Sequence, residues 1–168
     1  MHMQVRAKQD LAAQLGRLID EAVPGRRGLE AWGALLKAHA TLMRQLQTDL
    51  VSKTGLDLND FDVISQLAQA GGRLRMTDLA ARAFSSRSGL TRRIDRLVEE
   101  GLVGRTTADG DARGVVVTLT EAGVARLTET VPIHLRTVVE LFTAKLDNQE
   151  LAILESALKK VILDRTFG

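Results

Sequence analysis

Apolar positions along this chain recur mostly at helical spacing, and the exceptions fall together. Leu11, Leu15, Leu18 and Ile19 share one side of a helix predicted over 7–22, which the run VPGRRG at 23–28 breaks. Leu35, Leu42, Leu46 and Leu50 predict a long helix from about 29 to 53, stopped at Gly55. Asp57 is a plausible N-cap for a helix over 58–70, with Phe61, Ile64 and Leu67 inward and AGG at 70–72 closing it. RLRM at 73–76 predicts one short strand, and Thr77 caps a short helix over 78–83. Ser85 or Ser86 caps the next helix, which runs to about 100. Its inward stripe is Leu90, Ile94, Leu97 and Val98, and Gly101 terminates it.

The period then changes. LVGRTT at 102–107 and GVVVTLT at 114–120 are rich in β-branched residues and flank ADGDAR, a turn-rich tip, so they predict a hairpin. Thr120 caps a further helix running towards 145, with Pro132 as a point of bending. LDNQE is read as loop and cap. A last helix over 148–164 carries Leu151, Leu154, Leu158, Val161 and Ile162 on one face. The fold class is mainly α with a minor β part.

A short helix, a tight turn and a second helix with polar outer faces make a helix-turn-helix, and the hairpin after it makes a wing. The major groove of B-DNA is wide enough to admit the second helix. Charge sharpens this reading. Net charge is only +2, but residues 73–113 hold nine arginines against six carboxylates, while the remainder has 14 basic and 15 acidic residues. An excess made of arginine alone suits phosphates and guanine edges; a merely solvated face is the plain alternative. Candidate DNA contacts are Thr77, Ser86, Arg87, Ser88, Thr91, Arg92 and Arg96 on the helices and Arg113 on the wing. Gly89 permits close approach at the expense of local helix strength.

Composition narrows the remaining choices. There is no cysteine, so disulfides and thiolate metal sites are excluded, and a reducing cytoplasm fits. No apolar run is long enough to span a membrane, and the N-terminus lacks a signal-peptide core. No nucleophile elbow, phosphate loop or zinc-helix motif occurs, and the three histidines are scattered. No enzyme activity, cofactor or metal is expected.

The run RLVEEGLVGRTTADGDARGVVVTLTEAG, within residues 55–123, resembles the MarR family of winged helix-turn-helix regulators. Its "GLV-R", its Asp-x-Arg wing and its "LT-x-x-G" follow the family pattern in order. The resemblance implies a homodimer joined through terminal helices: 1–54 and 121–168 for dimerisation, and 55–120 for DNA. It implies a twofold protein on palindromic double-stranded DNA, with repression as the family default. Arg113 matches the wing arginine and Asp111 its acidic neighbour, whereas Ala112 stands where many members have a second basic residue. It further implies a small anionic or phenolic ligand, with Trp32, His39, Met43, Phe61, Asp62 and Arg93 as candidate contacts and an Asp62–Arg93 pair linking pocket to DNA helix. Four of these have a plainer role: Trp32 in core packing, His39 at an interface, and Asp62 and Arg93 as a structural ion pair. The extra N-terminal helix resembles that of urate-responsive members, but LGRLIDEA lacks their tryptophan, which argues against urate. A non-specific architectural DNA binder and a helical protein-interaction module are the other two classes. The hydroxyl-rich, arginine-bearing helix favours the first reading over both.

Overall fold

In a computed structural model of the chain, the structure describes residues 2–26, 28–82, 87–108 and 111–163; the side chains of 2–9, 87, 88, 108, 111–113 and 163 lie outside that description. Seven helices and three strands are described: α1 (His2–Ala22), α2 (Leu29–Thr54), α3 (Leu58–Gln69), β1 (Arg73–Arg75), α4 (Met76–Arg82), α5 (Arg87–Glu99), β2 (Val103–Ala108), β3 (Asp111–Leu119), α6 (Glu121–Leu141) and α7 (Asn148–Leu163). They divide into two compact units, residues 1–43 and 44–168.

The first unit holds α1 and the opening turns of α2. Its apolar stripe is real but uncovered: Leu11, Leu15 and Leu18 are all exposed, as is Trp32, 57% of whose surface meets solvent. Trp32 is therefore not a core residue of the single chain, and His39 is exposed as well. Gly25 and Gly28 have left-handed φ values of 67° and 80°, the conformation that lets the chain turn between the two helices.

The second unit is built on one apolar cluster. Leu50, Leu56, Val63, Ile64, Leu67, Leu79, Leu90, Ile94, Leu97 and Val117 form its centre, with Leu127 and Val131 of α6 packed against it. The sheet is antiparallel in the order β1-β3-β2, so the short β1 adds an edge to the hairpin. Leu74 lies opposite Val117, which sends both into the core. Element ends follow local chemistry. Asp57 caps α3 by accepting the Asn59 N–H at 2.9 Å. At the end of α5, the Gly101 N–H reaches the Val98 carbonyl at 3.0 Å and the Leu102 N–H the Leu97 carbonyl at 2.9 Å, the paired bonds of a glycine-terminated helix. Asp147 and Glu150 cap α7 reciprocally: Asp147 Oδ1 accepts the Gln149 and Glu150 N–H groups at 2.8 Å, and Glu150 Oε2 accepts the Asp147 N–H at 2.9 Å.

The "LT-x-x-G" run is the seam between wing and α6. The Thr120 hydroxyl lies 2.7 Å from the Gly101 carbonyl and 3.0 Å from that of Leu102, and accepts the Gly123 N–H at 3.0 Å. The Thr120 N–H also bonds to the Leu102 carbonyl, at 3.1 Å. This brings α6 so close to β2 that a Cβ on Gly123 would stand 2.1 Å from the Leu102 oxygen.

Four boundaries differ from expectation. α1 begins at His2 rather than 7, because no breaker precedes it. α4 begins at Met76, so Thr77 sits inside its first turn rather than capping it. α6 ends at Leu141, and a single 3₁₀ turn over Thr143–Lys145 follows. β3 starts at Asp111, so strand pairing takes up most of the expected tip; Asp109 and Gly110 lie outside the described residues.

Candidate nucleic-acid interface

α5 has two unlike faces. Leu90, Ile94 and Leu97 are fully buried, and each such side chain contributes on the order of 1.5–3 kcal/mol on leaving water. That stripe fixes the rotation of the helix and turns Thr91, Arg92 and Asp95 to solvent. Val98, one step past Leu97 around the helix, falls off the stripe and is 38% exposed, contrary to its expected inward place. Arg92 has no ion pair among the described residues, and its side chain is exposed. Thr77, in the first turn of α4, is exposed, and its hydroxyl donates to Asp78 Oδ1 at 3.4 Å. Ser85 and Ser86 lie outside the described residues. Arg87 and Ser88 fall in the first turn of α5 and Arg113 on β3, with their side chains outside the description.

The other two arginines of α5 pair with carboxylates: Arg93 is part-buried and Arg96 is exposed. Arg93 Nη1 donates to Asp57 Oδ1 and to Asp60 Oδ1, each at 2.9 Å, and Arg96 pairs with Asp60 Oδ2. Asp60 is almost fully buried, and its two oxygens hold two cations from successive turns of α5. Arg93 is thus held by Asp57 and Asp60, five and two residues before the expected Asp62; Asp62 Oδ1 accepts from Gln66 Nε2 at 3.4 Å. Arg96 lies on an exposed face, as expected, but its guanidinium is engaged by the buried carboxylate of Asp60. Sequence reading missed Asp60 because an acid inside an otherwise apolar α3 stripe looks like a surface residue; its spacing to Arg93 and Arg96 appears only once α3 and α5 pack.

Asp57 sits at the junction of this network. Burial alone would raise its carboxyl, but hydrogen bonds from the Asn59 side chain and N–H and from Gln47, with the charge of Arg93, together hold it below the usual carboxylate range.

The wing is tied to α5 by Arg105. It stands two residues after Val103 on β2 and opposite Val117, hence on the inner face of the sheet. From there Arg105 Nη1 pairs with Asp95, and Nη2 donates to the Thr91 carbonyl at 3.3 Å. The strand alternation was the signal for this inward arginine.

Farther along α3, Phe61 is buried and its ring lies 4.6 Å from that of His134 on α6. Burial lowers the His134 imidazole from its ordinary value, so the folded state favours the neutral ring. A lowered folded value means the unfolded chain takes up the proton first. Stability is therefore complete above about pH 6.5 and declines as pH falls below it. The expected outcome is that urea midpoints drop between neutral pH and about pH 5.5, and that His134→Phe flattens this drop. An unchanged slope in that variant would remove His134 as its source. Met43, on α2 in the first unit, is partly exposed.

A short helix, a second helix with a cationic outer face, and an antiparallel hairpin tied to it define a winged helix-turn-helix DNA-binding protein. The MarR family model matches residues 54–114. The chain is 32% identical to AbsC, a MarR family transcriptional regulator from Streptomyces coelicolor, over 80% of this chain and 90% of that one, with a TM-score of 0.74. It is 28% identical to Sco3205, a MarR family transcriptional regulator from the same organism solved in complex with DNA, over 83% of this chain and 88% of that one, with a TM-score of 0.76. Among curated proteins it is 26% identical over 138 residues to the HTH-type transcriptional regulator PecS of Dickeya dadantii (strain 3937), 79% of this chain and 82% of that protein. The chain belongs to the MarR family of transcriptional regulators, which are DNA-binding proteins and not enzymes. No described helix is long and apolar enough to cross a membrane.

Proposed function

We propose that this protein is a homodimeric repressor that binds a palindromic operator and is released by a small anionic or aromatic ligand. The observation that carries the DNA reading is α5: its buried stripe presents Thr91 and Arg92, which has no ion pair among the described residues, outward beside a wing tied to the same helix. The DNA-bound state of Sco3205 supports carrying this reading to the present chain. Thr77, Ser86, Arg87, Ser88 and Arg113 complete the proposed contacts. Dimerisation is supported by apolar side chains left exposed on the terminal helices, among them Leu36 on α2, Leu135 and Val139 on α6, and Val161 and Ile162 on α7. A twofold dimer reads half-sites about one helical turn apart. Repression and ligand release rest on the family resemblance.

The test is fluorescence anisotropy against DNA upstream of the protein's own gene, at two salt concentrations and with scrambled competitor. Tight, competitor-resistant binding is expected; weak, steeply salt-dependent binding without preference would favour an architectural role. Arg92→Ala is expected to cost roughly 1–3 kcal/mol in discrimination at one base position per half-site. Equal weakening on every sequence would make Arg92 a phosphate contact instead.

A further inference from the structure

We propose that Gln47 is a positioning residue through which α2 sets the seat of the recognition helix α5. Gln47 lies on α2 within the second unit and has no hydrogen bond to α5 among the described residues, yet hydrogen bonds run between them without a gap. Its side-chain amide grips the start of α3 with both ends: Oε1 accepts the Leu58 N–H at 2.8 Å, and Nε2 donates to Asp57 Oδ2 at 2.9 Å. The other oxygen of Asp57 accepts from Arg93 Nη1 at 2.9 Å, and the same Nη1 donates to Asp60, which also holds Arg96.

Three features make this more than one helix packed on another. The Leu58 N–H is among the orphan donors of the first turn of α3, so Gln47 completes the cap that Asp57 begins. Asp57 is shared: one oxygen serves α2 and the other serves α5, so a shift of Gln47 changes what Arg93 meets. Arg93 Nε is buried without a partner among the described residues, so the guanidinium is held through Nη1, and its position depends on the two carboxylates that Nη1 reaches. A part-buried bond network in a low-dielectric setting transmits such a shift instead of absorbing it in water.

The proposal rests on the operator-binding reading, and its test separates the two. Wild type, Gln47→Met, Arg93→Lys and the double variant are compared for operator affinity relative to scrambled DNA. That ratio does not depend on the fraction of folded protein, so a merely structural loss leaves it alone. Gln47→Met keeps the length and removes both hydrogen bonds; Arg93→Lys keeps the charge. Each single variant is expected to lower the operator preference about tenfold, and the double no further than the lower single, because both cut one chain. Multiplying effects in the double, or an unchanged ratio in Gln47→Met with only the melting midpoint reduced, overturns the relay. Should Gln47→Met not fold, Gln47→Asn, one methylene too short to span Leu58 and Asp57, gives the same contrast. A wild type without operator preference would refute the underlying DNA reading, a different failure from additivity in a wild type that binds.

Discussion

Gly123→Ala is expected to be the most damaging single-methyl change in the protein. The added carbon would enter within 2.1 Å of the Leu102 carbonyl oxygen and 2.7 Å of Leu119 Cδ1, and the first of these is backbone that cannot swing away. Relief requires lifting the first turn of α6 from β2, which stretches the Thr120 bonds to Gly101, Leu102 and the Gly123 N–H together. Overpacking of this kind costs about 3 kcal/mol, which for a chain of this size lowers the melting midpoint by roughly 6–12 °C. Gly104→Ala is the matched control: a Cβ there meets nothing within 4 Å, so its melting curve should overlay that of the parent. If both glycines tolerate alanine equally, the seam between wing and α6 is looser than its geometry indicates.

Asp60→Asn should follow in size. The amide keeps the shape but removes the charge that two guanidinium groups share, and its NH₂ faces a donor. Breaking a buried pair on one side costs 3–5 kcal/mol when both partners are buried. Arg96 is half exposed and Arg93 retains Asp57, so about 2–3 kcal/mol is expected in urea denaturation. Asp57→Asn should lose far less, since asparagine caps a helix as well as aspartate does and Arg93 retains Asp60. Equal losses at the two positions would mean that capping, and not the shared charge, is what holds α3 to α5.

Much of the lobe was legible in the sequence because local rules and the fold agree there. Asp57, Thr120, Gly55 and Gly101 ended or began their helices as their chemistry predicts, and Leu90, Ile94 and Leu97 were buried at the expected period. The misreadings have a common physical cause: they depend on what lies opposite. Arg96 lies on the surface as its spacing predicts, but its pairing with Asp60 appears only once α3 packs beside it, and Arg93 found carboxylates that helical spacing alone could not choose among. Val98 failed because a stripe only three residues wide covers less of the helix than four apolar letters suggest. Trp32 failed for the opposite reason: its neighbours are apolar, but more than half of its surface stays uncovered by the described residues.

That exposure has a practical side. Trp32 is the only tryptophan and the chain has no tyrosine, so its emission is a single-site optical signal from the amino-terminal half of α2. An indole leaving water shifts its emission to shorter wavelength and loses access to a dissolved quencher such as iodide. Whatever comes to lie over that stretch of helix can thus be followed at native composition, with no dye attached, against a background in which no other side chain fluoresces appreciably.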